Sequence, residues 1–211
     1  MKAIVFDLDG TLLYTLQDIA AALNHALKEH GFSLCSLNDI RLRVGNGLSQ
    51  LVTDSVPPDT APEQRRSIIN TLNNYYRRRP VQLSSPYPGI PELLSRIKRR
   101  GILLGLLSNK DDALVHIITE HFFPGLFSSS LGLLPGRMPK PDPATLQEML
   151  KNQNVTANDA LFVGDSEVDM ETARRAGVEF LGVSWGYRDH EVLEKYGAAT
   201  IIRTVDDFPI P

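Results

Sequence analysis

Six short apolar runs, separated for the most part by stretches of helical periodicity, limit what this chain can fold into. Strands are expected at Ala3 to Phe6, Ile102 to Leu107, Leu126 to Ser130, Ala160 to Val163, Glu179 to Ser184 and Thr200 to Ile202. This alternation predicts an α/β fold, a doubly wound parallel sheet with helices on both faces. One stretch breaks the rhythm. Tyr14 to Leu83 follows the first strand and holds no convincing strand, while Leu16, Ile19, Ala20, Leu23 and Leu27 repeat at helical spacing, as do Ile68, Ile69, Leu72, Tyr75 and Tyr76. A small helical cap domain inserted after the first strand is therefore expected over 15–83, with the core domain formed by 1–14 and 84–211. Arg77 to Arg79 ends the last cap helix, where positive charge complements the helix dipole. At 211 residues the chain is long enough for one substantial core and a small accessory domain.

The first strand ends abruptly. In A-I-V-F-D-L-D-G-T-L, Asp7 and Asp9 stand with a single residue between them where the apolar run leaves the sheet. Two such carboxylates repel each other and cost desolvation energy unless a cation neutralises them or one stays protonated. The carboxyl ends of strands are also where open α/β sheets bind ligands. A solvated Asp-Gly turn is the plain alternative. A calcium loop fits less well, because its glycine falls five residues after the first acidic ligand and Gly10 follows Asp7 by three.

A second acidic group lies far away in L-F-V-G-D-S-E-V-D, where another apolar strand ends in Gly-Asp. Asp169 has a ready structural role in the first turn of the following helix. Asp165 has none. If the two strands lie side by side, Asp7, Asp9 and Asp165 converge on a site for a hard cation, and magnesium fits best because it takes only one or two carboxylates plus waters and phosphate. Ser108 and Asn109 end the second strand before a helix near Asp111, which is anion-binding geometry as well as ordinary N-cap chemistry. Lys140 stands between Pro139 and Pro141, and that constrained backbone makes it a candidate to neutralise a phosphoryl group.

Taken in order, D-L-D-G-T-L, Ser108, Lys140 in K-P-D-P, and G-D-S-E-V-D resemble the four motifs of the haloacid dehalogenase-like hydrolases, over residue 4 to about residue 188. R-V-G-N-G-L at Arg43 to Leu48, Y-P-G-I at Tyr87 to Ile90 and W-G-Y at Trp185 to Tyr187 make the chain similar to the bacterial phosphoglycolate phosphatases within that superfamily. Three positions depart from the pattern: Tyr14 stands where relatives commonly carry an acidic residue, Ser108 where they often have Thr, and Asp142 where they often have His. The resemblance implies a magnesium-dependent phosphomonoester hydrolase acting on a small phosphorylated metabolite. It implies Asp7 as nucleophile, Asp9 as general acid and base, and Lys140 as a phosphoryl ligand. The Asp7 side chain, the Asp9 backbone carbonyl and Asp165 would hold Mg2+, with Asp169 in support. Gly10, Thr11, Ser108 and Asn109 join the substrate site, and Arg43 with the Gly45-Asn46-Gly47 turn is the best cap-side candidate to read the rest of the substrate.

Three alternatives stay open at this point: a phosphomutase of the same fold, a pyrophosphatase, and a non-catalytic phosphoryl-binding module. A carbon–halogen hydrolase has no need of an acid at Asp9. The net charge of −3 argues against nucleic acid as a main partner. No run approaches the roughly 18 apolar residues of a membrane span, so no membrane partner is expected. The N-terminal M-K-A-I-V-F does not read as a signal peptide, and the single cysteine, Cys35, suits a reducing, cytoplasmic setting. Oligomeric state is not readable from the chain.

Overall fold

The computed structural model describes residues 1–209. Strand β1, Ala3–Phe6, is buried along its whole length, as a run with no polar alternation requires when both faces of a sheet are covered. Its neighbours come from distant parts of the chain: β4 (Leu103–Asp111) pairs on one side and β6 (Ala160–Gly164) on the other, both parallel. Beyond them lie β5 (Ser129–Leu133), β7 (Glu179–Val183) and β8 (Ile201–Ile202), giving the order β5-β4-β1-β6-β7-β8. The chain turns to opposite sides of β1, so the crevice at its carboxyl end is a topological switch point.

Alternation along the strands divides the core. Ile4 and Phe6 face one apolar cluster with Leu93, Leu94 and Ile97 of α5 (Ile90–Arg99) and with Leu114, Val115 and Ile118 of α6 (Asp112–Phe122). Ala3 and Val5 face the other, with Leu146, Met149 and Leu150 of α7 (Ala144–Asn152) and with Ala173 and Ala176 of α8 (Glu167–Ala176). The expected doubly wound sheet is the observed one. A last helix, α9 (His190–Tyr196), precedes β8.

Two strands differ from expectation. β5 starts three residues later than Leu126, because Leu126 and Phe127 fold back in a turn onto Phe123, whose ring meets that of Phe127 at 6.0 Å. Apolar character there serves the core rather than the ladder. β4 runs on past Leu107 through Ser108, Asn109 and Lys110, with a register shift against β5 between Leu107 and Asp111.

Between β1 and α5 the chain forms four helices: α1 (Leu16–Glu29), α2 (Leu37–Arg43), α3 (Leu48–Thr53) and α4 (Pro62–Arg78). The i, i+4 series Ile68, Leu72 and Tyr76 is fully buried, and α4 packs on α1 and α3. A two-residue antiparallel ribbon, β2 (Leu13–Tyr14) with β3 (Ser85–Pro86), joins the segment's two ends, although no strand is expected from Tyr14 onward. Asp18 fastens the same seam by accepting the backbone N–H groups of Leu83 and Ser84. Tyr14 packs edge-on to Tyr87 and Tyr187, so this departure from the family pattern serves an aromatic cluster.

Candidate active site

Every strand end at the switch point delivers a polar side chain into one cleft. Asp7 follows β1 and Asp165 follows β6, and both carboxylates are buried. The chain closes tightly on Asp165. A Cβ on Gly10 would lie 2.3 Å from its carboxylate oxygen, and one on Gly186 would lie 2.3 Å from its own Cβ. Gly10 also has φ of +87°, which only glycine adopts without strain. Thr11 Oγ1 donates to Asp165 Oδ1 at 3.1 Å and the Tyr187 N–H donates to Oδ2 at 2.6 Å.

Lys140 is 5% exposed and its ammonium is shared: Nζ donates to Asp7 Oδ1 at 2.7 Å, to Asp169 Oδ1 at 2.6 Å and to the Leu107 carbonyl at 3.2 Å. Asn109 sets the backbone that carries it. Its Oδ1 accepts the Lys140 N–H at 2.7 Å, and its Nδ2 donates to the carbonyls of Lys140 and Gly45, each at 3.0 Å. Asp169 has two tasks at once, pairing with Lys140 through Oδ1 while Oδ2 accepts the Ser166 hydroxyl at 2.5 Å in a capping box on α8. Asp169 therefore caps α8 and contacts Lys140 at the same time.

Oxygens of Asp7, Asp165 and Asp169 lie within 4.8 Å of one another. Burial pushes the Asp7 carboxyl well above the ordinary range, and the charges of Asp169 and Asp165 add to that while Lys140 opposes it. Burial, followed by the charge of Asp169, pushes Asp165 up to about 7. Burial alone would lower the Lys140 ammonium, but Asp169 and Asp7 outweigh it and hold the group above its usual value.

Asp9 stands apart from that triad. Thr15 Oγ1 donates to its Oδ1 at 2.6 Å, and the Lys110 ammonium lies 2.9 Å from its Oδ2. Tyr187 OH supports Thr15, accepting its backbone N–H at 2.9 Å and lying 2.8 Å from its hydroxyl. Lys110 Nζ also donates to Tyr76 OH at 2.9 Å. Its pKa is raised, since the Asp9 charge and Tyr76 outweigh the lowering by burial.

Asp7, Asp9, Ser108, Asn109, Lys140 and Asp165 all line the cleft, together with Gly45 and Gly47. Gly10 and Thr11 instead support Asp165 from outside it. Two expected cap-side residues are not in the cleft. Asn46 is exposed and lines a separate groove with Glu167, Met170 and Arg174 of α8. The Arg43 guanidinium turns toward Cys35 Sγ at 3.5 Å and Ser55 Oγ at 3.4 Å, which corrects its expected place beside the substrate. The arginine that does line the cleft is Arg188. It is buried, and it bridges Glu167 of α8 at 3.0 Å to the Arg41 and Val44 carbonyls at 3.0 and 2.9 Å. Lys110, Tyr187 and Arg188 are not among the site residues expected from sequence, although Lys110 follows Ser108-Asn109, Tyr187 closes the W-G-Y segment and Arg188 follows it. Asp142, where relatives often have His, accepts the Ala144 N–H at the start of α7.

A family model described as haloacid dehalogenase-like hydrolase matches residues 4–183. The chain belongs to the haloacid dehalogenase-like hydrolases. It is 32% identical over 200 residues to a protein of Vibrio cholerae named phosphoglycolate phosphatase, covering 90% of this chain and 88% of that one. It is 33% identical over 220 residues to one of the same name from Rhodospirillum rubrum, covering 98% and 88%. A crystal structure of a candidate phosphoglycolate phosphatase from Lactobacillus delbrueckii superposes with a TM-score of 0.92 at 30% identity, covering 97% of this chain and 95% of that one. Within the family the chain therefore stands with the phosphatases. No helix among the described residues is long and apolar enough to cross a membrane.

Proposed function

We propose that this enzyme hydrolyses a small phosphate monoester, with phosphoglycolate as the leading substrate, through an aspartyl-phosphate formed on Asp7. The observation that carries the reading is the division of labour between two carboxylates two residues apart. Asp7 faces Lys140 and Asp165, whereas Asp9 is turned to Thr15 and Lys110. One is placed to meet phosphorus and the other to handle a proton.

The donor set fits a divalent cation. With Arg188 paired to Glu167, the carboxyls of Asp7, Asp9, Asp165 and Asp169, once all are ionised, outnumber the ammonium groups of Lys110 and Lys140 by two negative charges. All the ligands on offer are hard oxygens, which suits magnesium. The Asp7 and Asp165 side chains with the Asp9 carbonyl would hold it, and when bound it would draw negative charge from the phosphoryl oxygens.

The chain's own residues supply the rest. An Asp7 oxygen bonds to phosphorus as the ester P–O bond breaks, and Asp9 gives its proton to the departing alkoxide. In the second half Asp9 takes a proton from the water that attacks the acyl phosphate, which releases phosphate and restores Asp7. Lys140, the Ser108 hydroxyl and the Asn109 N–H contact the phosphoryl oxygens where charge accumulates. Helices α1 to α4, residues 15–83, act as a cap. Ile19, Val44, Leu48 and Leu51 give it an apolar inner face that keeps bulk water from the intermediate, and the Gly45 and Gly47 backbone comes close to a small substrate.

A phosphate-release panel of phosphoglycolate, p-nitrophenyl phosphate, pyrophosphate, a hexose phosphate and a nucleotide tests this. The expected outcome is the highest kcat/KM on phosphoglycolate, loss of all turnover on chelation, and recovery with Mg2+. Release of phosphate that is indifferent to chelation would exclude the proposed site. A pH dependence accompanies it. With their pKa values raised by folding, Asp7 and Asp165 bind protons in the folded, metal-free state that the unfolded chain gives up near pH 4. That favourable contribution is lost as the pH rises through the raised values, about 7 for Asp165, and a cation then takes the place of the proton. Mg2+ affinity is expected to rise about tenfold per pH unit for each proton displaced below that point. Thermal denaturation should show a larger Mg2+-induced rise in Tm at pH 8 than at pH 5.5, and equal shifts would contradict the assignment.

A further inference from the structure

Lys110 is a buried charge of the cleft, in contact with Asp9, for which the reaction above has no task. Its ammonium contacts Asp9 Oδ2 at 2.9 Å and Tyr76 OH at 2.9 Å, and lies 4.6 Å from the centre of the Tyr76 ring. A carboxylate held at one oxygen can still rotate about that contact, and Thr15 holds only Oδ1. A second contact at Oδ2 fixes its plane. A lysine on four methylenes is itself a loose anchor, but Tyr76 pins this one by hydroxyl and ring together. Next to Tyr76, Arg77 pairs with Asp111 at 3.0 Å, so two consecutive residues of α4 grip two consecutive residues of β4.

We infer that Lys110 is a positioning residue that orients Asp9 for proton transfer, and that Tyr76 makes this orientation depend on α4 being seated against the sheet. This rests on the phosphatase reading above. Proton transfer requires the acid's oxygen within hydrogen-bond reach of the leaving oxygen, so a freely rotating Asp9 delivers its proton poorly. The need differs by substrate. An alkoxide must be protonated as its P–O bond breaks, whereas nitrophenolate leaves as the anion.

The test compares kcat/KM, which reports steps up to departure of the alcohol, for phosphoglycolate, 2-hydroxyethyl phosphate and p-nitrophenyl phosphate. Lys110→Met is expected to lower both alkyl phosphates about a hundredfold and p-nitrophenyl phosphate only a few-fold. Tyr76→Phe, which keeps the ring, is expected to lower the same two by about fivefold in the same pattern. Equal losses on all three substrates would make Lys110 merely structural and overturn the inference. A loss confined to phosphoglycolate would overturn it too, by making Lys110 a reader of the substrate carboxylate. If Lys110→Met does not fold, Tyr76→Phe decides alone: loss on the alkyl phosphates supports the inference, and uniform or no loss overturns it. Wild-type protein that released phosphate from none of the three would remove the phosphatase reading and this inference with it.

Discussion

Replacing Asp7 by Asn is expected to lower kcat by about four orders of magnitude or more while the fold persists. The amide is too weak a nucleophile to form the acyl phosphate, and Asp9 is turned toward Thr15 and Lys110 rather than toward Lys140 and Asp165, so it is not placed to substitute. Stability should respond in the opposite sense. Folding raises the Asp7 pKa, so its ionised form costs stability once the pH exceeds the folded value, and a neutral amide of the same shape escapes that cost. The amide oxygen still accepts from Lys140, which also keeps Asp169. Metal-free Asp7→Asn should therefore melt at or above the wild-type temperature at pH 8. Turnover near the wild-type rate in a sample of verified mass would end the nucleophile assignment.

What could be read in advance was what breaks a pattern. Asp7, Asp165 and Lys140 each put charge or constraint where an apolar strand or a proline-bounded loop gives no structural reason for it, and the structure gathers all three. Parallel pairing of β1 with β6 needed no knowledge of side chains, because uninterrupted apolar runs are buried on both faces. Side-chain direction on the cap was a different matter. Arg41 and Arg43 lie two apart on α2, roughly 200° around the helix, so they point to opposite sides. Arg41 reaches the Tyr187 carbonyl at 2.7 Å while Arg43 turns to Cys35 and Ser55, and only the docked helix shows which face meets the sheet. Lys110 was hidden for a related reason. In sequence it reads as the tail of an N-cap segment, but β4 continues through it, and its partner Tyr76 reads as one more apolar position of a buried helical stripe. Contacts between elements 34 residues apart leave no local signal.

Removing the charge of Lys140 should have the largest effect on stability. Its Nζ lies between Asp7 and Asp169, and Lys140→Met leaves those carboxylates and Asp165 buried with no cation among them. Methionine keeps the length and the apolar stem, so packing is little changed and the loss is electrostatic. Removing one partner of such a buried set costs about 3 to 5 kcal/mol. The sign of the pH dependence separates this from a packing defect. Lys140 is the influence that holds the Asp7 pKa down, so without it the folded state binds protons still more tightly than the unfolded chain. The variant's deficit should be smallest near pH 5, where Asp7 and Asp165 hold protons, and should grow as the pH rises toward 8. Mg2+ at pH 8 should restore part of the stability, because a cation among the same carboxylates answers the same excess charge. It should not restore turnover, since a phosphoryl oxygen in the transition state would still lack its ammonium partner. Urea denaturation at pH 5.5 and pH 8, with and without Mg2+, measures all of this, and a deficit that does not change with pH would refute the charge argument.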